Sequence, residues 1–245
     1  MLLQVIGVVR QGHPPVKAVG VQLVESGPLA AAVLGIDADA ELTEEDAARH
    51  LDLLILLLRG GPVLPLAFGT VSPDEEAVRT EVLDPAADEL RQRLDAVDGL
   101  VEVRLEISFD ERSVLREVMQ EDPRLQQLAA DTRDGQSALD TRIALGQAVS
   151  GRLSEWRQAQ STRLLPTLAA AAQDVVELAS REPLQQRWAF LVRTDALEAL
   201  DEAVGKIRTA LGTTAAMEYV GPLPVYSFLG QPQVEPVPRR SAWGW

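Results

Sequence analysis

The sequence predicts an α+β protein built from two units, and three observations lead there. Short Val/Ile-rich or alternating apolar runs, punctuated by Gly and Pro, dominate residues 1–110. From Glu111 onward the apolar residues recur mainly at helical spacing. Charge density breaks at the same place: residues 1–110 hold 8 Lys+Arg against 20 Asp+Glu, and residues 111–245 hold 15 against 17. The expected organisation is a β-rich sheet-and-helix sandwich over 1–110 and a helix-rich α+β unit with a small sheet over 111–229. A Pro-rich tail follows over 230–245.

Residues 2–9 form an apolar run of strand length. Val19, Val21 and Leu23 alternate and predict a second strand, and Leu29 to Ile36 a third after the turn Ser26-Gly27-Pro28. A helix then starts at Thr43, the expected N-cap, with Asp46 completing a capping-box pattern and Glu44 and Glu45 complementing the dipole. Ala47, Leu51, Leu54, Ile55 and Leu58 mark its apolar stripe, and Gly60-Gly61-Pro62 stops it. Val63 to Phe68 reads as a short buried strand, Asp74 and Pro85 as helix starts, and Gly99 as a stop. Residues 100–107 alternate cleanly, with Val101, Val103, Leu105 and Ile107 facing a core and Glu102, Arg104 and Glu106 facing water. This strand is expected to close the first sheet.

In the second half, Leu139, Ile143, Gly146, Val149, Leu153 and Trp156 mark a long helix after a turn at Asp134-Gly135. A further helix is expected from near Pro166 to about Leu178, with Pro166 either in a first turn or kinking the helix. Trp188, Phe190 and Val192 alternate as a strand. Leu197, Leu200, Val204, Ile207 and Leu211 stripe a helix closed by Gly212, and Ala215, Met217 and Tyr219 form a last strand.

Composition narrows the function. The chain has 245 residues, no Cys and a net charge of −14. Disulfides, thiolate metal sites and cysteine nucleophiles are excluded, and the acidity argues against general nucleic-acid binding. Arg10 follows the first apolar run instead of preceding it, unlike a signal peptide, and Leu53 to Leu58 is far shorter than the ~20 residues of a membrane span. A cytoplasmic protein with no membrane partner is expected. No dinucleotide fingerprint, P-loop or nucleophile elbow occurs. His13 and His50 make a poor metal set, and Asp37-Ala38-Asp39-Ala40-Glu41 lacks the Gly and distal Glu of a calcium loop. The acidic clusters Glu44-Glu45-Asp46 and Asp74-Glu75-Glu76 stand at helix starts, where the dipole explains them. No catalytic residue, cofactor or metal site is assigned.

Two segments are unusual. Gly61 to Val71 sets Pro62 and Pro65 around a short apolar strand, which places Pro65 at an edge, a bulge or a strand end, with Gly69 allowing a sharp exit. Gly221 to Phe228 reads as a stiff extended peptide with two aromatics. Each is either a shaped part of its own core or a surface for another chain.

These segments resemble two blocks of the gas vesicle protein F/L family. Gly61 to Thr70 is similar to its "pVLPlrFGT" block, and Gly221 to Phe228 to its closing "GPwPPYsF" block. Gly7-Val8-Val9, Leu29 to Val33, His50, Gly99 with Glu102, Leu145 to Val149 and Ala189 to Val192 fall in family order, so the resemblance spans about 1–229. Ala67 replaces the family's usual Arg, Leu223 its Trp and Val225 one Pro; residues 110–137 match no block. The resemblance implies two α+β domains, the first a modified ferredoxin-like sandwich. It also implies a non-enzymatic accessory or minor structural protein of gas vesicles. The implied partners are the small hydrophobic shell protein (GvpA-like) and other gas vesicle accessory proteins. Pro62, Val63, Leu64, Pro65, Phe68, Gly69, Thr70, Gly221, Pro222, Pro224, Tyr226 and Phe228 become the candidate partner-binding residues. The alternative is a ferredoxin-like small-molecule-binding protein or enzyme.

Overall fold

The computed structural model describes residues 1–16, 20–38, 41–132 and 139–229. Val19, Asp39, the Asp134-Gly135 turn and the 230–245 tail therefore lie outside the described residues.

The first sheet runs β2-β3-β1-β4, from β1 (Leu2–Arg10), β2 (Gln22–Ser26), β3 (Leu29–Ile36) and β4 (Leu64–Pro65); β5 (Val71–Ser72) also pairs with β1. All these pairings are antiparallel. The register of β1 against β3 shifts between Val5 and Gly7. That bulge breaks strict alternation, so Val5 and Val8 face one layer while Ile6 and Val9 face the other. All four are fully buried, each contributing roughly 1.5–3 kcal/mol of transfer free energy. Gly7 sits where β4 comes closest, and a Cβ there would stand 2.8 Å from the Leu64 carbonyl oxygen.

Helices cover both faces of this sheet. On one side lies α1 (Glu44–Leu58), opened by the expected capping box of Thr43 and Asp46. Its buried residues are His50, Leu53, Leu54 and Leu57 rather than the whole predicted stripe. Leu51, Ile55 and Leu58 turn instead toward the second sheet, because α1 lies between the two. On the other side run α2 (Glu75–Ala77), a π turn (Val78–Leu83), a 3-10 turn (Asp84–Ala86) and α3 (Ala87–Ala96). Val78, Leu83 and Leu94 fill the layer beneath them.

The second sheet runs β7-β8-β6-β9, from β6 (Leu100–Phe109), β7 (Asp174–Glu177), β8 (Gln185–Arg193) and β9 (Ala215–Leu223). The expectation that strand 100–107 closes the first sheet is thus corrected. β6 is an interior strand of the second, paired with β8 and β9. Its odd residues, Val103 to Phe109, join Trp188, Phe190, Val192 and the helices α4 (Glu111–Glu121), α5 (Pro123–Thr132), α6 (Leu139–Ala169) and α7 (Leu197–Leu211) in the second core. The helix expected from Pro166 does not start there. Pro166 lies inside α6, and residues 174–177 form β7. Leu139 and Ile143, placed on the buried stripe of that helix by their spacing, are exposed. Mixed α and β content with two sheets fixes the class as α+β. Among the described residues no helix is long and apolar enough to cross a membrane.

Candidate functional site

The two unusual segments meet. After α1, Val63 packs into the core beneath the helix, and Leu64 and Pro65 pair with Val8 and Gly7. Of the expected strand 63–68, only these two residues join the ladder. Pro65 has no N–H to continue it, and the chain swings out after the Leu66 amide bonds to the Ile6 carbonyl at 3.1 Å. Thr70 closes the resulting loop, its hydroxyl donating to the Ala67 carbonyl at 2.7 Å. Gly69 stands at φ +86, in the left-handed region.

The closing segment reaches the same place from the second sheet. β9 ends at Leu223, after a cis peptide bond between Gly221 and Pro222. A Cβ at Gly221 would lie 2.9 Å from Val103 Cγ2, so glycine lets the strand pass. Residues 224–229 then form a strap that leaves the second sheet and crosses to the first. Val225 is buried in the first core, with Phe228 and Leu229 packed against it.

One carboxylate holds the strap. Glu102, on the even face of β6, is fully buried instead of meeting water. Its Oε2 accepts from the backbone amides of Tyr226 (2.8 Å) and Ser227 (2.6 Å), and its Oε1 accepts from the Ser227 hydroxyl (2.9 Å) and Arg104 Nε (2.7 Å). A buried charge needs this degree of pairing. Burial pushes the Tyr226 hydroxyl up to about 12, with Arg104 lowering it and Glu102 raising it.

His50 joins the two segments from α1. Its Nε2 lies 3.1 Å from the Leu66 carbonyl, the same oxygen that the Tyr226 hydroxyl approaches at 3.4 Å. The Nε2–H tautomer satisfies this geometry and leaves Nδ1 to accept from Gln4 Nε2 at 3.4 Å. Burial lowers the His50 pKa, and the bond to Leu66 partly offsets it. Phe68 packs edge-on against the imidazole, with ring centroids 5.7 Å apart.

Between β4, α3 and the strap lies a largely apolar cleft of about 220 Å³. Leu64, Pro65, Thr70 and Tyr226 from the predicted set line it. Of the rest, Val63 packs beneath α1, Phe68 lies against His50, Gly69 turns the loop and Phe228 packs against the first core. Gly221 and Pro222 are not brought to this cleft: they line a separate groove with Ile55 and Leu58, and Pro62 and Pro224 line neither. Val8, Leu66, Ala67, Leu90, Val225 and Leu229 complete the apolar wall of the cleft, with Arg93 at the rim. Arg93 pairs with Glu89. Sequence reasoning missed Glu102 as the anchor because strand alternation put it on the wet face, although it stood among the family-like positions. Among the described residues no group of acidic and histidine side chains is arranged to hold a metal ion.

A two-sheet α+β protein whose C-terminal strap closes an apolar cleft over the edge of its first sheet is the class these features define. The model of the family described as "Gas vesicle synthesis protein GvpL/GvpF" matches residues 5–230, and the chain belongs to this family. It is 31% identical over 239 residues to gas vesicle protein F of a Streptomyces species, covering 94% of this chain and all of that protein. It is 26% identical to gas vesicle protein F of Dolichospermum flosaquae over 68% of each chain. Crystal structures of GvpF from Microcystis aeruginosa and from an Anabaena species superpose with TM-scores of 0.77 and 0.80 at 19% identity. They cover 93% of this chain and 98% and 97% of theirs. The fold is therefore that of GvpF.

Proposed function

We propose that this gas vesicle protein is a non-enzymatic accessory or minor structural component acting in the cytoplasm. It binds the hydrophobic shell protein (GvpA-like), alongside other gas vesicle accessory proteins, and assists nucleation and assembly of the vesicle. The observation that carries this reading is the convergence of the two family-like segments on one apolar cleft. Beside that cleft three large apolar side chains are left in water: Phe68 at 37% exposure, Leu42 at 38% and Val71 at 46%. A Cβ on Gly69 would lie 3.6 Å from Leu42 Cδ1, which joins Leu42 to the loop. Such apolar surface marks interaction sites, and a subunit with large apolar faces needs cover before it assembles. The net charge of −14 keeps the resulting complex dispersed.

The test is co-purification of the shell protein with the full chain. Phe68→Ser and Ala67→Glu, both on exposed loop positions, are expected to reduce capture strongly while leaving the fold intact by circular dichroism. Moderate salt is expected to weaken capture only slightly, because apolar contact dominates. Unchanged capture by both variants, or loss of capture on removing only 230–245, would reject this surface.

A further inference from the structure

Four strand edges bound the two sheets, and three of them are guarded. The edge of β2 spans five residues and is braced by Arg79 Nε, which donates to the Glu25 carbonyl at 3.2 Å. β4 and β5 offer two residues each, and β4 carries Pro65. β7 has four residues and a carboxylate at either end. β9 differs: it runs nine residues and carries its proline, Pro222, only near its C-terminal end, so residues 215–220 pair with β6 on one side and meet no further strand among the described residues. Natural sheets rarely leave so long an edge open without a reason.

The exposed face of β9 carries a charge pattern that stops short. Across the sheet, Arg187 of β8, Glu106 of β6 and Glu218 of β9 stand in one row. Both oxygens of Glu106 are taken, one by Arg187 Nε at 2.9 Å and the other by Gln185 Nε2 at 2.6 Å. Glu218 thus stands opposite another carboxylate with no ion-pair partner of its own among the described residues. Arg104, Arg181 and Arg187 line a hollow together with Glu218, but Arg104 is held by Glu102 and Arg187 by Glu106, and Arg181 makes no ion pair with Glu218. Like charges directly opposite one another destabilise a sheet, and a cation at the next position relieves them. Two residues along the same face, Val220 is 40% exposed. It opens onto a groove of about 320 Å³ with Ile55, Leu58 and Leu223 in its wall.

We propose that the free edge of β9 accepts an extended segment of a partner protein that places Lys or Arg opposite Glu218 and an aliphatic residue two positions away, opposite Val220. Backbone pairing supplies the affinity, and the alternate side chains supply the selection. The surface is separate from the cleft beside β4, so it stands whether or not the shell protein binds there. A second copy of this chain does not fit, because the matching face of its own β9 offers Ala216, Glu218 and Val220 and no cation.

The test uses the full chain and a labelled nonapeptide, Val-Thr-Val-Thr-Lys-Thr-Val-Thr-Val, followed by fluorescence anisotropy and amide hydrogen exchange. The Lys peptide is expected to bind about three- to tenfold more tightly than its central-Glu counterpart. It should also slow exchange over residues 215–221. Glu218→Lys, on an exposed position, should invert the preference, and a peptide N-methylated at every amide should not bind. Equal affinity for the Lys and Glu peptides, binding of the N-methylated peptide, or no inversion by Glu218→Lys would overturn the proposal. So would a concentration-dependent dimer that protects 215–221 without peptide.

Discussion

At the scale of single residues, Glu102 and His50 carry the join between the two family-like segments. Four donors converge on the Glu102 carboxylate, three of them from the strap. Glu102→Ala leaves the two strap amides without their acceptor in a buried place. The expected loss is roughly 2–4 kcal/mol, read from the urea midpoint, with new chymotryptic cleavage after Tyr226 and Phe228. Glu102→Gln, which keeps one carbonyl acceptor, should cost less. An alanine variant as stable and as resistant to cleavage as the parent would show that the strap is held by packing alone. His50 gives a pH signature. Its folded pKa lies below the ordinary value of 6.5, chiefly because burial disfavours the cation. Below about pH 6.5 the unfolded chain takes up a proton that the folded chain resists, so stability falls as the pH drops until the folded pKa is passed. His50→Gln should flatten the stability curve between about pH 7 and pH 5, where most ordinary carboxylates stay ionised. His13 is common to both proteins and cancels in the difference. Parallel curves would refute this account.

At the scale of elements, local chemistry was legible where it acts alone. The capping box of Thr43 and Asp46, the Ser26-Gly27-Pro28 turn and the alternation of Trp188, Phe190 and Val192 all appear as their residues predict. The misreadings arise where tertiary partners decide. Pro166 looks like a helix start, yet Leu164 and Leu168 are buried on either side of it. Their burial offsets the ~3 kcal/mol cost of an interior proline. The α1 stripe looked like one broad face because apolar residues serve two sheets, one on each side of the helix. Strand alternation on β6 was right in phase, but it cannot say what covers the even face. There a strap more than a hundred residues away turns a surface position into a buried one. Of the candidate site, the two segments were legible as unusual and family-like, and their meeting was not, since no local pattern encodes it.

At the scale of the whole molecule, charge density and sheet membership divide the chain differently. The charge break falls near Asp110, whereas the sheets change between Ala96 and Leu100. The strap then carries Val225, Phe228 and Leu229 back into the first core, and Leu100 and Leu191 of the second sheet pack against that core too. Cutting at 110 would therefore strip the first half of packing it needs, and a truncation at the strap is the sharper probe. A chain ending at Leu223 keeps all of β9 and leaves the second core complete. It removes Val225, Phe228 and Leu229 from one layer of the first core and Tyr226 from the other, and it strips three of the four donors from Glu102. Complete burial of an aliphatic or aromatic side chain is worth roughly 1.5–3 kcal/mol, so the loss is a large part of the ~5–15 kcal/mol that stabilises a typical domain. Amide exchange should accelerate in β1 and β3 while β6 and β8 stay protected. Removing only 230–245 should leave both sheets as they are. Equal loss of protection in both sheets of the 1–223 chain would mean that the two cores unfold as one cooperative body. Unchanged protection in β1 and β3 would mean that the first core stands without the strap.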